Sequence, residues 1–94
     1  MSKPYTVDYD LVAPGRDYSA LTTALVGLGA KRGMQSKWFL TSASTALQIH
    51  DYLWKFMDAN DRLFVAELSG DWAGRNLLVD PNKVQNEAAL SRRY

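Results

Sequence analysis

Tyr5-Thr6-Val7-Asp8-Tyr9-Asp10-Leu11 decides how this chain folds. Its apolar residues (Tyr5, Val7, Tyr9, Leu11) and its polar ones (Thr6, Asp8, Asp10) alternate strictly. Successive side chains of a strand point to opposite faces, so this period predicts a strand with one buried face. Ala13-Pro14-Gly15-Arg16 ends it, and Asp17 or Ser19 is placed to cap a helix. Tyr18, Leu21, Leu25 and Leu28 then recur at helical spacing, and Gly29 is a suitable C-terminal stop.

From Ala30 to Thr41 the pattern is extended again, with Trp38-Phe39-Leu40 at its centre. This stretch is long for one strand, which predicts a hairpin broken between Gly33 and Ser36, with Gly33 at a bend or bulge. Thr45 and Gln48 have the spacing of a capping box ahead of the apolar stripe Ala46, Ile49, Leu53, Phe56 and Met57. On the outer face, Asp51 and Lys55 have the spacing of an ion pair. Asp58-Ala59-Asn60-Asp61 reads as a turn, and Arg62 to Leu68 as a strand apolar on both sides and therefore covered on both. Beyond it, Leu77-Leu78-Val79 suits a short fifth strand, and Asp80-Pro81 a helix start.

Strand, helix, strand, strand, helix, strand is the βαββαβ order of a ferredoxin-like α+β two-layer sandwich. Residues 1–69 form that domain and 70–94 a short strand/helix appendix of it. Two helices cover one sheet face only, so the opposite, partly apolar face predicts a homodimer formed through the sheet.

Composition narrows the chemistry. Across 94 residues, 47% hydrophobic and 22% charged content is ordinary for a globular domain. There is no cysteine, hence no disulfide, no thiolate-ligated metal and no thiol nucleophile, and the single His50 excludes a His-pair metal site within one chain. No apolar run approaches the ~18 residues that span a bilayer, and no signal-peptide pattern opens the sequence, which predicts a cytoplasmic protein without a membrane partner. With 11 Lys/Arg against 10 Asp/Glu, nucleic-acid binding must come from local patches. Charge is nevertheless uneven: acids dominate from Asp51 to Asp71, and Lys83, Arg92 and Arg93 make the end of the chain basic.

Asp8 and Asp10 lie two apart on one strand, so their carboxylates share a face roughly 6.5–7 Å apart along it. Magnesium or manganese is held by oxygen ligands, often one or two carboxylates plus water and substrate phosphate. A two-fold axis near this face would bring four carboxylates together. Without that axis, Asp8 and Asp10 are ordinary solvent-facing strand residues. Arg16, Lys31, Arg32 and Lys37, with Trp38 among them, are the candidate contacts to phosphates and bases. Arg16 equally suits a pair with Asp10 or Asp17, and Trp38 suits the core. His50, beside a helix stripe, fits a packing role better than that of a general base. No base partner accompanies Ser36, Ser42 or Ser44, and Gly27-x-Gly29 follows a helix, so neither serine chemistry nor a dinucleotide loop is indicated.

Taken in order, these segments resemble the Cas-two family of small CRISPR-associated proteins and its looser VapD-type relatives. Tyr9-Asp10-Leu11 looks like that family's first-strand ending, Gln35-Ser36-Lys37-Trp38-Phe39 like its glutamine-serine-x-aromatic approach to the third strand, and Asp61-Arg62-Leu63-Phe64-Val65 like its fourth strand. The likeness runs over residues 4 to 69. It implies a ferredoxin-like dimer, an adaptation-related or nuclease role, and magnesium ligation by the first-strand aspartate, which carries over to Asp10 alone. Asp8 joins it by strand parity, not as a family position. Ala13 to Tyr18 stands where an Arg/Lys-rich helix start is usual, and Leu40-Thr41 follows Phe39 where an acid is often found, which places the chain nearer the divergent branch. Two functions follow as expectations: a metal-dependent endonuclease acting on RNA or DNA, or a non-catalytic dimeric adaptor for nucleic acid or a partner protein.

Overall fold

The structure, a computed structural model, describes residues 2–12, 17–68, 70–71 and 73–79. Four strands and two helices follow in the order β1 (Lys3–Asp10), α1 (Ser19–Gly27), β2 (Lys31–Met34), β3 (Lys37–Ser42), α2 (Ala46–Trp54) and β4 (Arg62–Glu67). The strands form one antiparallel sheet in the order β2-β3-β1-β4. This small α+β arrangement is compatible with the ferredoxin-like layout. Among the described residues no helix is long and apolar enough to cross a membrane.

The alternation in β1 has the expected consequence. Tyr5, Val7 and Tyr9 are buried in one core with Trp38 and Leu40 of β3 and the α1 and α2 residues Leu21, Leu25, Ile49 and Leu53. Leu21, Leu25, Leu40 and Leu53 are at most 1% exposed, and each such burial contributes about 2 kcal/mol. The strand closes one residue early, at Asp10, and Leu11 is exposed rather than placed beneath the helices.

Local signals explain the element ends. At α1, Gly29 takes φ +82°. Ala30 N–H donates to Leu25 O and Gly29 N–H to Val26 O at 3.1 and 3.0 Å, the paired bonds that close a helix over a left-handed residue. The start of α1 differs from expectation: Tyr18 is the N-cap, and its side chain makes no capping hydrogen bond. Asp17 instead accepts from the Ser19 amide at 2.9 Å. That hydrogen bond to its charged form holds the Asp17 carboxyl below its ordinary value.

At α2 the capping box forms as expected: Gln48 N–H donates to Thr45 Oγ1 at 3.1 Å, and Thr45 N–H to Gln48 Oε1 at 2.9 Å. Thr45→Ala is expected to lower stability by about 1 kcal/mol. Urea unfolding should show this as a lower midpoint at unchanged slope, and an unchanged midpoint would mean that the cap adds nothing. On the outer face of α2 the expected Asp51–Lys55 pair is replaced by two other contacts. Asp51 lies 3.0 Å from His50 Nδ1, and Lys55 Nζ stands 4.8 Å from the Tyr52 ring centroid.

The β2–β3 hairpin turns at Gln35-Ser36, and a bulge separates Arg32 from Met34. Gly33 is therefore the bulge that the sequence suggested. β4 departs from its reading as a strand covered on both faces. Leu63 and Val65 pack on the core, whereas Phe64 is 62% exposed on the opposite face. Leu77-Leu78-Val79 forms no strand, although Leu78 N–H donates to Gly33 O of β2 at 2.9 Å. The helix expected from Asp80, together with Arg16, Trp72, Lys83, Arg92 and Arg93, lies outside the described residues.

Candidate functional site

Register places the polar side of β1 on the sheet face away from the helices. Thr6 pairs with Phe39 and Ala66, Asp8 with Lys37 and Phe64, and Asp10 with Arg62. The strand parity inferred for Asp8 and Asp10 thus puts both carboxylates on one open face, but in unlike surroundings.

Asp8 belongs to a closed polar group. Lys37 Nζ lies 2.8 Å from its Oδ1 and donates to Thr6 Oγ1 at 2.9 Å, while the Thr6 hydroxyl donates to Asp8 Oδ2 at 3.1 Å. Both ionic side chains are about two-thirds buried, at 29% and 34% exposure. A charge pair desolvated to this degree is costly to separate. For Asp8 to ligate a metal, the ion must replace Lys37.

Asp10 is different. Its side chain is 67% exposed at the end of the sheet, and Arg62 NH1 is 3.8 Å from Oδ2. At this exposure the pair is loose and screened. Two depressions meet at Asp10. One, of about 310 Å³, opens on the free face and is lined by Asp8, Asp10, Ser36, Arg62 and Phe64. The other lies toward α1 with Thr22, Arg32, Gln35 and Ser36. Tyr9 N–H donates to Ser36 O at 3.2 Å, which fixes the hairpin turn beside the end of β1.

Of the described candidate phosphate contacts, Lys31 and Lys37 lie on the free face and Arg32 on the other. Lys31 is exposed opposite Phe39 on the free face, and Lys37 is held by Asp8 and Thr6. Arg32 pairs with Trp38 instead, with its guanidinium 4.6 Å from that ring's centroid and a hydrogen bond to Gln35 O. Trp38 is core, 4% exposed, and donates from Nε1 to Tyr9 Oη at 2.9 Å. His50 sits in the helix layer, its ring stacked on Trp54 at 6.0 Å and its Nδ1 against Asp51.

Sequence reasoning missed two residues of this site. Thr6 was seen only as a polar strand position, yet it bridges Lys37 and Asp8; its parity was the available signal. Arg62 faces Asp10 through the β1–β4 register, which no local pattern encodes.

A hard divalent cation needs oxygen donors and retains water in its remaining positions. One chain offers the exposed Asp10 carboxylate, only loosely paired with Arg62, and Ser36 lines the same depression. Among the described residues no group of three or more His, Cys, Asp or Glu is placed to hold a metal ion. Compared with known proteins, the chain matches no family model, no curated protein and no solved structure.

Proposed function

We propose that this chain acts in the cytoplasm as a Cas-two-like homodimer that handles RNA or DNA, with a magnesium or manganese centre built from the Asp10 residues of two copies. The supporting observation is the contrast on the open face: Asp8 is neutralised by Lys37, whereas Asp10 stands 67% exposed beside Ser36 at the sheet end. The dimer reading is supported by the same face. It carries one exposed phenylalanine, Phe64, and cations and anions in pairs (Lys37 with Asp8, Arg62 with Asp10), so two copies can meet there without leaving charge of one sign unbalanced.

When bound, such an ion supplies Lewis acidity at a phosphodiester and a more acidic water. The residues of the chain have separate parts in this reading. Asp10 holds the ion, Arg62 and Lys31 meet flanking phosphates, and Ser36 and Gln35 position the backbone of the nucleic acid. Arg16, Arg32 and Lys37 were also candidates for phosphate contact. Arg32 and Lys37 would have to leave Trp38 and Asp8 to serve. With net charge +1, binding to duplexes is expected to be weak and to fall steeply with salt.

A second reading, the non-catalytic adaptor, is favoured by one observation: among the described residues no cluster of metal-ligating side chains accompanies Asp10, whose nearest charged neighbour is Arg62. In that case the same dimer displays its Asp51–Asp71 acidic segment and basic end to nucleic acid or to a partner protein.

A cleavage assay separates the two. Labelled single-stranded RNA, single-stranded DNA and duplex DNA are mixed with the protein in magnesium, manganese or chelator, alongside Asp10→Asn and Asp8→Asn. Each variant is first checked for folding and for oligomeric state. Metal-dependent cutting lost in Asp10→Asn is the expected result. Equal inertness of wild type and variant removes the catalytic reading and leaves the adaptor.

A further inference from the structure

Phe64 is 62% exposed on the sheet face away from the helices, although it lies within β4. Register fixes its neighbours: Asp8 is opposite it, and Arg62, two residues along the same strand, is opposite Asp10. Phe64 and Arg62 therefore share a face, roughly 6.5–7 Å apart along the strand. Both line the depression of about 310 Å³ that reaches Asp10 and Ser36. Two residues the other way along β4 is Ala66, opposite Thr6, so the next row across the two strands is short. Among the described residues no other aromatic ring packs against Phe64.

The charge of this face is a second, independent observation. Register puts Lys31, Lys37 and Arg62 on it, and Arg75 lines a cleft there with Lys37 and Phe39. The anions that register places beside them are Asp8 and Asp10, which offset Lys37 and Arg62. Lys31 and Arg75 are then a positive surplus. The other layer has the opposite sign: among the described residues the helices and their flanking turns carry Asp17, Asp51, Asp58 and Asp61 against Lys55. A chain of net charge +1 thus gathers positive charge on the face that bears the open ring. These cations reach from one edge strand to the other, about 14 Å across three strand spacings.

We infer that this face binds a single-stranded nucleic acid, with a base stacked on Phe64 and the backbone met by Arg62, Lys31 and Arg75. The inference rests on the nucleic-acid part of the reading above and not on the second copy, and it names the substrate as an unpaired strand. A ring standing open on a sheet offers its π face to a base that is free to turn out, whereas a duplex keeps its bases stacked on one another. Every base has such a face, so the contact is tolerant of sequence, and the flanking cations track the phosphates. The stack needs no ion, so binding is separable from any chemistry at Asp10.

The test is fluorescence anisotropy in chelator with three probes: a labelled single-stranded DNA, the same strand annealed to its complement, and an abasic strand of equal length. Wild type is compared with Phe64→Ala, Phe64→Leu and Phe64→Tyr, and Leu47→Ser is the control, since Leu47 is 68% exposed on α2. Wild type is expected to bind the ordinary strand about tenfold more tightly than either other probe. Phe64→Ala and Phe64→Leu should lose that preference, while Phe64→Tyr and the control keep it. Lys31→Ala and Arg75→Ala should each flatten the slope of log affinity against log salt by about 0.7. Unchanged slopes in both put the strand elsewhere and overturn the inference. A preference that survives Phe64→Ala, or one that wild type never shows, overturns it too and leaves the nucleic-acid reading standing. If Phe64→Ala binds as wild type but forms a weaker dimer by sedimentation equilibrium, a second copy covers the ring and the inference falls. Absence of binding to all three probes at low salt removes the inference and the nucleic-acid reading together.

Discussion

Asp61→Ala is expected to lower the stability of this domain by about 3 kcal/mol. Asp61 is 6% exposed, although it sits in a turn and carries a carboxylate. The Val12 amide donates to its Oδ1 at 2.8 Å and the Asp58 amide to its Oδ2 at 2.7 Å, while the Tyr18 hydroxyl lies 2.7 Å from both oxygens. One side chain thereby ties the exit of β1, the start of α1 and the α2–β4 turn. Hydrogen bonds to a charged acceptor are worth more than neutral ones, and deleting the acceptor leaves the donors partly buried and unmatched. Asn at this position keeps one carbonyl but turns an NH2 toward a donor, so Asp61→Asn should recover less than half of the loss. Tyr18→Phe removes a single donor and should cost about 1 kcal/mol. Urea unfolding of the three variants provides the comparison. A cost for Asp61→Ala no larger than that of Tyr18→Phe would show that the backbone donors find water instead.

Asp61 also marks where sequence legibility ended. Asp58-Ala59-Asn60-Asp61 was readable as a turn from composition, but nothing local distinguishes an aspartate facing solvent from one receiving bonds from residues 12 and 18. Readability followed the range of the interaction. The β1 alternation, the Thr45–Gln48 box, the Gly29 stop and the Gly33 bulge are decided within a few residues, and the structure bears them out. The element order then selects an antiparallel sheet with two helices on one side. Errors arose where cover comes from distant chain. β4 was read as covered on both faces because Phe64 and Ala66 are apolar, yet no described residue lies over Phe64. Leu77-Leu78-Val79 looked like a strand by β-propensity, but only Leu78 reaches a ladder partner.

The candidate site divides along the same line. Parity alone put Asp8 and Asp10 on one face. Their difference depends on Lys37, which the β1–β3 register sets opposite Asp8, and on Arg62, which the β1–β4 register sets opposite Asp10. Two residues apart on one strand, the two carboxylates have separate chemistry because one neighbour is half-buried and in contact while the other is exposed and distant. The basic stretch around Lys31 and Lys37 reads as a patch in one dimension. Folding leaves Lys31 and Lys37 on the free face but puts Arg32 on the opposite one, over Trp38. Such a patch on a strand is split by the pleat unless its cations sit two apart.

Gly33→Ala is expected to cost about 2 kcal/mol, from crowding rather than from backbone propensity. A Cβ on Gly33 would lie 2.2 Å from Cε2 and 2.8 Å from Cδ2 of Phe39. These are ring atoms of a side chain only 5% exposed, so the whole ring must tilt. Ala73 and Leu77 line a cleft of about 350 Å³ together with this ring, and Leu78 N–H donates to Gly33 O at 2.9 Å, so a shift of the ring and of the bulge disturbs that segment. The same substitution should therefore loosen residues 73–79, seen as faster exchange of the Leu78 amide than in wild type. Phe39→Leu removes ring volume and should itself cost about 1–2 kcal/mol as a large-to-small change. In the Gly33→Ala background that volume is what the new methyl needs, so the double variant should be more stable than the sum predicts by about 1 kcal/mol. A double-mutant cycle in urea measures this coupling. If Gly33→Ala alone stays within about 0.5 kcal/mol of wild type, the ring has room to yield, and Gly33 is a bulge residue without a packing role.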